Sequence, residues 1–518
     1  MTKVIFPTLL ALGLLFTFAV RAPAQAPAPA PEAAVPASAA QTAFAQSLVF
    51  RTDRVIADPT HPMMVWLAQT APVSYAAPGA LRLKVALYTA DAAPKLVREL
   101  GETFVFGVNL ASQPWPFALN LAGVANGDYQ CRAEVWAGAT LLGSFQVSAK
   151  LVAGLDTKLA EFEPRLALID GHDSAKASIR YPFDLARVIN LGKRVFGSST
   201  GNPEFGLNQA GAPTLYDFTA GLKRSGELLA ALEAGHDPVW RAGGETVRHY
   251  HMAEADEILP YRVFVPSTWD GKAALPLVFI LHGNSRDQDF YFERDDHIIP
   301  RTAEKHGFML VAPLGYAPNA GYNYNNGFRG APGVGTRGVA GAVATPQNFG
   351  PPLAGVAGRG GRGARGGAGF GGVNGSVTPA LVRSEWSEQD AMHVFDLIKK
   401  EYPIDPKRTF LFGYSAGGQG AHYLGPKFAE NWAAIAIGGS NAQPGPGYQF
   451  DRVKATPYFL FYGTADAGNG PPAIAMAAAI NQNGGSVVVK SYQGANHDQA
   501  PSAAIADIFD FFAAHLGR

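Results

Sequence analysis

The chain has 518 residues, 42 of them basic and 42 acidic, so its formal net charge at neutral pH is zero. This balance gives no electrostatic reason to expect nucleic acid or an acidic membrane as a partner. Hydrophobic residues make up 47% of the chain, enough for a large core, and the length suits two or more domains. The single cysteine, Cys131, excludes an intramolecular disulfide and a cysteine-based metal site.

The first 26 residues have the pattern of an export signal. Lys3 supplies a positive start, residues 4–20 are mostly apolar, and Ala24-Gln25-Ala26 fits a cleavage site that requires small residues. An uncleaved anchor is the alternative, although the apolar stretch is short for a spanning helix. Cleavage would leave a periplasmic or secreted protein with no stable membrane association.

Three regions follow the signal. Residues 27–45 are rich in alanine and proline and predict a flexible spacer. Residues 46–153 alternate short β-prone runs with turn residues, which predicts a small β-sandwich-like domain. A structural role for that domain is favoured over binding of a glycan or polymer. Residues 154–244 change to helical periodicity, for example at Leu159 and Leu166, and predict a helical connector.

The most specific motif is Gly413-Tyr414-Ser415-Ala416-Gly417. It follows residues 408–412, a β-branched and aromatic run that predicts a buried strand, and precedes residues 418–424, which can open a helix. Glycines two positions before and after the serine permit a very sharp turn between strand and helix. The free N–H groups of the helix would then point at the reacting oxygen. Ser415 is therefore predicted to be a nucleophile.

Two further strands end in residues that complement a nucleophilic serine. Residues 456–463 are a nearly continuous apolar run that leads into Asp466, and residues 486–492 lead into His497. Because parallel strands end at the same edge of a sheet, the three side chains are predicted to meet there. Asp466 would orient the imidazole, and His497 would act as general base and acid. Asp498 is an alternative partner, disfavoured because it is the immediate neighbour of the histidine.

The same edge should also carry donors for an oxyanion. The apolar run 275–281 ends in His282-Gly283-Asn284. The backbone N–H groups of Ala416 and Asn284 are predicted as the two donors, with Gly283 allowing the close approach. The alternative is that the His-Gly pair simply ends a strand.

A long insert interrupts this half of the chain. Residues 327–380 consist largely of glycine, alanine and arginine, which predicts a disordered loop. Tyr322 and Tyr324 at its start, and Tyr414 beside the serine, are candidates to contact the substrate. His249 and His251 could share one face of a strand, but no third ligand is evident, so no metal site is predicted.

Residues 245–518 resemble the α/β-hydrolase esterases that include feruloyl esterases, acetyl xylan esterases and polyhydroxybutyrate depolymerase-like enzymes. The matching features are Leu259-Pro260-Tyr261-Arg262-Val263-Phe264-Val265-Pro266, Leu281-His282-Gly283, Tyr402-Pro403-Ile404-Asp405-Pro406-Lys407-Arg408, Gly413-Tyr414-Ser415-Ala416-Gly417-Gly418, and Asp466 with His497. The resemblance implies an α/β-hydrolase fold, with a mostly parallel sheet covered by helices on both faces. It implies a serine esterase that forms an acyl-enzyme and needs no cofactor or metal. Its substrate would be a small-molecule or polymeric ester of carbohydrate-linked, phenolic or polyester type.

Two other functions stay open. A serine peptidase of the prolyl-oligopeptidase type is disfavoured because the upstream region is too short for a propeller and lacks blade repeats. A non-catalytic extracellular binding protein is disfavoured by the presence of all three triad residue types. The ester that is cleaved and the oligomeric state are not predicted, since specificity resides in loops.

Overall fold

A computed structural model describes residues 38–70, 72–73, 80–105, 109–191, 214–284, 286–316, 321–324, 384–442 and 448–517. The predicted export signal and the insert 327–380 lie outside the described residues. No helix within the described ranges is long and apolar enough to cross a membrane.

The N-terminal part of the described chain contains helix α1 (Ala39–Ser47) and eight strands. The strands are β1 (Leu48–Thr52), β2 (Ile56–Ala57), β3 (Met63–Gln69), β4 (Leu81–Thr89), β5 (Leu96–Val105), β6 (Trp115–Leu119), β7 (Gly127–Ala137) and β8 (Thr140–Leu151). They form a three-stranded sheet in the order β1-β3-β6 and a five-stranded sheet in the order β2-β8-β7-β4-β5. Every second residue of β7 is buried, as expected for a strand with one face on a core.

The two sheets bury one common set of side chains, which includes Phe50 and Val65 from the smaller sheet and Leu83 and Val135 from the larger one. Phe44 of helix α1 joins this set and is only 6% exposed. The prediction of a flexible spacer up to residue 45 is therefore wrong from residue 39 onward. The predicted domain boundaries themselves stay a prediction.

Three helices follow, α2 (Leu155–Leu166), α3 (Asp173–Asn190) and α4 (Phe218–Glu233). They carry the helical periodicity that the sequence predicts for this segment. Their buried side chains, such as Ile179 and Leu229, belong to the same apolar cluster as residues of the large sheet described next. The helices thus pack against that sheet, and their role as a connector stays a prediction.

The large sheet has eight strands: β9 (Gly244–Met252), β10 (Glu257–Val265), β11 (Leu275–Leu281), β12 (Met309–Pro313), β13 (Ile404–Tyr414), β14 (Ala434–Gly438), β15 (Tyr458–Gly463) and β16 (Val487–Tyr492). Their order is β16-β15-β14-β13-β11-β12-β10-β9. Strand β10 is antiparallel to both of its neighbours, and the other pairs are parallel. The central strands are apolar throughout because both faces are buried.

Helices cover both faces of this sheet. The remaining helices are α5 (Phe290–His306), α6 (Ser384–Glu401), α7 (Ala416–Lys427), α8 (Phe450–Val453), α9 (Gly470–Gln482) and α10 (Ala500–Ala513), with short 3₁₀ turns at Gly321–Asn323 and Ala429–Asn431. The backbone of α5 is non-helical from Arg294 to His297. Helices α5 and α10 share one apolar cluster with Phe410 and Phe412, whereas α6, α7 and α9 share another with Leu411. The α/β arrangement of a mixed, mostly parallel sheet between two helical layers is the one that the sequence predicts.

Candidate active site

Ser415 occupies the turn between β13 and α7 in a backbone conformation that is unusual for a residue with a side chain, φ 58° and ψ −119°. The turn is tight because glycines flank it. A Cβ added at Gly413 would lie 2.2 Å from the carbonyl oxygen of Gly417, and one at Gly417 would lie 2.0 Å from that of Leu281. The Ser415 N–H donates to the carbonyl of Gly438 at 3.0 Å. The hydroxyl is thereby held clear of the sheet at the start of a helix.

The structure brings Ser415, His497 and Asp466 together in one chain of contacts. His497 Nε2 lies 3.0 Å from Ser415 Oγ, and His497 Nδ1 lies 2.6 Å from Asp466 Oδ2. The His497 side chain is 41% exposed and that of Asp466 is 12% exposed. The imidazole is therefore accessible to solvent, and its carboxylate partner is mostly shielded from it.

Asp498, the alternative partner, makes other contacts. Its N–H donates to Asn496 Oδ1 at 3.0 Å, and its carbonyl oxygen accepts from Arg294 at 2.6 Å. Since Nδ1 of His497 is already paired with Asp466, the geometry favours Asp466 over its neighbour.

Asn469 is part of this arrangement, and the sequence analysis missed it. Its Nδ2 donates to both carboxylate oxygens of Asp466, at 2.9 and 2.8 Å, and lies 3.3 Å from His497 Nδ1. Asn469 precedes helix α9 at the N-cap position but makes no side-chain cap there. An asparagine three residues after the predicted acid, on the same strand-end loop, was the available signal. It is easily read as an ordinary helix cap.

Tyr414 was predicted as a substrate contact, but the structure places it elsewhere. The side chain is 3% exposed, and its hydroxyl donates to the carbonyl oxygen of His497 at 2.7 Å. Burial raises the pKa of Tyr414, which keeps the hydroxyl protonated as a donor. The residue before the serine thus supports the loop that carries the histidine.

The predicted oxyanion segment lies directly beside the serine. A Cβ added at Gly283 would lie 3.3 Å from Ser415 Cβ and 3.8 Å from Ser415 Oγ. Asn284 follows and is exposed, and Ala416 is the first residue of helix α7. The absence of a side chain at Gly283 leaves room for a reacting carbonyl next to the hydroxyl.

Tyr322 was also predicted to contact substrate, and it too is buried, with 2% exposure. Its hydroxyl oxygen accepts the N–H of His282 at 3.1 Å. Its ring packs so closely on α7 that a Cβ added at Gly420 would lie 2.7 Å from it. Tyr322 therefore supports the segment that leads to Gly283. Tyr324 is half-buried.

The residues on either side of the insert are tied to each other. The Tyr322 N–H donates to Ser387 Oγ at 3.0 Å, and Asn323 Nδ2 donates to Glu388 Oε2 at 2.8 Å. Glu388 also accepts the hydroxyl of Tyr423 on helix α7 at 3.0 Å. The residues that precede the insert and those that follow it thus both lie beside helix α7, which begins directly after Ser415.

No metal ligand set accompanies the serine in the described part of the chain. The one group there whose ligand atoms lie within 4.8 Å of one another consists of Asp58, His61 and Asp156. The oxygens of Asp58 already accept from Thr60 and from the Asp156 N–H. The group includes none of Ser415, Asp466 and His497.

The two histidines on β9, His249 and His251, contact different residues. His249 Nδ1 lies 3.0 Å from Ser178 Oγ, and burial lowers the pKa of His249 to about 3. His251 Nε2 lies 3.2 Å from Asp256 Oδ1.

No protein-family model and no curated protein matches this chain. Among solved structures, the chain is similar to a ferulic acid esterase from Anaeromyces mucronatus, with 16% identity and a TM-score of 0.35 over 54% of this chain and 92% of that one. It is similar to S-formylglutathione hydrolase from Staphylococcus aureus, with 13% identity and a TM-score of 0.34 over 53% of this chain and 99% of that one. A thermostable esterase matches with 13% identity and a TM-score of 0.34 over 90% of this chain and 98% of that one.

Proposed function

We propose that this protein is a serine hydrolase that cleaves carboxylic esters. The observation that carries the proposal is the run of contacts from Ser415 Oγ through the imidazole of His497 to Asp466, at 3.0 and 2.6 Å. These are the distances at which a base can take the proton of a nucleophile while an acid orients the base. The chain of contacts lies at the edge where β13, β15 and β16 end.

In the proposed reaction, Ser415 Oγ attacks the ester carbonyl while its proton passes to His497 Nε2. Asp466 holds the ring through Nδ1 and stabilises the imidazolium that forms. His497 then gives the proton to the departing alcohol, which leaves an acyl-enzyme. A water molecule loses a proton to His497 and attacks the acyl group, and the acid is released with Ser415 restored. None of these steps requires a metal or cofactor.

The negative charge of the tetrahedral intermediate would be stabilised by backbone donors. The N–H of Ala416 belongs to the first turn of α7, where the helix dipole favours negative charge. The N–H of Asn284 would be the second donor, with Gly283 leaving room between the serine and this segment. Because backbone donors are fixed by the fold, they need little reorganisation during the reaction.

The protein is proposed to act in the periplasm or outside the cell, on a carbohydrate-linked, phenolic or polyester substrate. The export-signal pattern supports the location. The 41% exposure of His497 supports a site that can admit an ester carried on a larger molecule. The two small sheets formed by β1 to β8 are proposed to be a β-sandwich-like structural domain, linked by α2 to α4 to the catalytic part.

A fluorophosphonate probe and a substrate panel test this function. Wild-type protein should be labelled on Ser415 alone, as identified by peptide mass spectrometry. The Ser415→Ala variant should not be labelled, and its kcat should be lower by about a million-fold. The panel comprises short p-nitrophenyl esters, methyl ferulate, acetylated xylan, polyhydroxybutyrate and a prolyl peptide. Cleavage of the peptide without any ester would replace the esterase proposal by a peptidase. Labelling that persists in Ser415→Ala would overturn the assignment of the nucleophile.

A further inference from the structure

A cavity of about 840 Å3 lies against β9 and β10, which are separated from β13 in the large sheet by β11 and β12. Glu401 at the end of α6 lines it, and β13 begins directly afterwards at Ile404. Ser415 follows the other end of this eleven-residue strand, roughly 35 Å away at the rise of an extended chain. The volume is within the range of small-molecule binding sites.

The inner wall of the cavity is apolar. Tyr250, Tyr261 and Ile258 are buried residues that line it. The Tyr250 hydroxyl donates to Asp390 at 2.6 Å, and the Tyr261 hydroxyl lies 3.2 Å from Ser174 Oγ. Since both hydroxyls already have partners, the two tyrosines offer mainly ring surface to a ligand. Such a wall suits an aromatic or aliphatic group.

Two acidic residues of the lining already have partners. Glu401 forms a buried ion pair with Arg248 and also accepts the N–H of Arg241 at 2.9 Å. Asp237 Oδ2 lies 2.7 Å from His172 Nδ1. These carboxylates are therefore poor partners for a cation that enters the cavity.

The basic residues of the lining differ in how they are paired. Arg180 makes two hydrogen bonds with Glu163, at 2.7 and 2.8 Å, and Lys176 donates to the carbonyl oxygen of Ile169. Lys400 is exposed at the mouth, and no acidic group pairs with it in the described ranges. Asp173 is an exposed acid in the first turn of α3, where the helix dipole already offsets its charge. Among the lysines and arginines that line the cavity, Lys400 is thus the exposed one, whereas Lys176 and Arg180 are half-buried and held by the contacts above.

We propose that this cavity binds a small amphipathic carboxylate. The apolar body of the ligand lies against Tyr250, Tyr261 and Ile258, and its carboxylate pairs with Lys400 at the mouth. Trp240, which lines the same mouth and is 51% exposed, covers the part of the body nearest to solvent. The inference goes beyond ester hydrolysis and does not depend on it, because none of these residues belongs to the site at Ser415.

Isothermal titration calorimetry of the whole protein with trans-cinnamate and with octanoate tests the proposal. The two acids share the required chemistry but carry an aromatic and an aliphatic body. Their amides, cinnamamide and octanamide, keep the body and remove the charge. The matched variants are Lys400→Glu and Lys399→Glu. Lys399 is the preceding residue on α6, outside the cavity lining, with its ammonium 5.0 Å from the Phe395 ring centre.

Saturable binding of at least one acid is expected, with its amide weaker by about tenfold because the charge-assisted contact is lost. Lys400→Glu should weaken binding of the acid by about tenfold or more, and Lys399→Glu by less than about threefold. Neither variant should change turnover of a p-nitrophenyl ester. Where Lys400→Glu does not fold, Trp240→Ala takes its place and should weaken cinnamate binding. Absence of binding by both acids, or equal affinities in the two lysine variants, would overturn the proposal.

Discussion

The hydroxyl of Tyr414 donates to the backbone carbonyl of His497 across 2.7 Å, so the residue before the proposed nucleophile also holds the loop of the proposed base. The centres of the Tyr414 and His497 rings lie 5.1 Å apart. One side chain therefore couples the end of β13 to the loop after β16. A change at Tyr414 should therefore alter the distance between Ser415 Oγ and His497 Nε2, the two atoms of the proposed proton transfer.

Tyr414→Phe should lower kcat by about fivefold and leave KM nearly unchanged. The variant keeps the ring and loses one part-buried hydrogen bond, worth about 1 kcal/mol. Steady-state kinetics on a p-nitrophenyl ester measure this effect. Tyr129→Phe is the matched control, since its hydroxyl also donates to a backbone carbonyl, that of Ala125 at 3.0 Å, in the N-terminal sheets. Equal kinetics in the two variants would contradict the role of Tyr414.

Asp466→Asn should lower kcat by about 10⁴, because the amide favours the wrong tautomer of the imidazole. Asp498→Asn should cost less than about tenfold, since only the backbone of this residue makes the contacts described above. Both variants remove one negative charge beside the same histidine, so they form a matched pair. A larger loss in Asp498→Asn would transfer the orienting role to that residue.

Asn469→Asp should lower kcat by about tenfold or more, because a carboxyl group would replace the amide that donates to both oxygens of Asp466, at 2.9 and 2.8 Å. Two carboxylates at this distance repel each other and would displace the partner of His497 Nδ1. Asn469→Ala removes the donor without adding an acid and should lower kcat less. Steady-state kinetics on a p-nitrophenyl ester measure both effects, and wild-type kcat in both variants would show that Asn469 does not hold Asp466 in place.

Replacing His422 by leucine should make the protein less sensitive to acid. Burial lowers the pKa of His422 from 6.5 to about 3. Because the unfolded chain takes up a proton below pH 6.5 and the folded chain does so only near pH 3, stability falls as the pH drops through this window. At pH 5 this difference in proton uptake lowers the free energy of unfolding by about 2 kcal/mol. Urea midpoints at pH 7 and pH 5 should therefore differ less in His422→Leu than in wild type, and parallel pH dependences would refute the prediction.

Replacing residues 330–375 by a short Gly-Ser linker should leave turnover of small esters within about tenfold. A short linker can suffice because Tyr322 and Ser387, on the two sides of the insert, are hydrogen-bonded to each other at 3.0 Å. Activity on bulky or polymeric esters should change more, since the insert departs beside the proposed site. Loss of small-ester activity in a folded variant would show that the insert contributes to catalysis itself.

The meeting of Ser415, Asp466 and His497 could be predicted from sequence because each follows a run that predicts a strand of one parallel sheet. Strands of this kind are recognisable without tertiary information, and their carboxyl ends meet at one edge. The roles of the three residues stay predictions. The glycines around Ser415 were equally informative, since close backbone approach excludes any side chain there.

The aromatic residues could not be assigned in the same way. A tyrosine on a strand-end loop has the same sequence pattern whether its ring faces substrate or the core. Packing of Tyr322 against Gly420, and of Tyr414 near Gly439, determines the direction of these rings, and both contacts join segments distant in sequence. Asn469 was missed for a related reason, since its position before a helix has a common local explanation.

The backbone of Ser415 sets a limit on how stable this fold can become. A residue with a side chain at φ 58° and ψ −119° stores local strain of about 1–3 kcal/mol, held by the surrounding packing. Glycine at this position would relax the strain but remove the hydroxyl. Selection for thermal stability alone would therefore favour the loss of the serine. If Ser415 is the proposed nucleophile, the strained turn exchanges part of the stability of the fold for the position of a reactive hydroxyl.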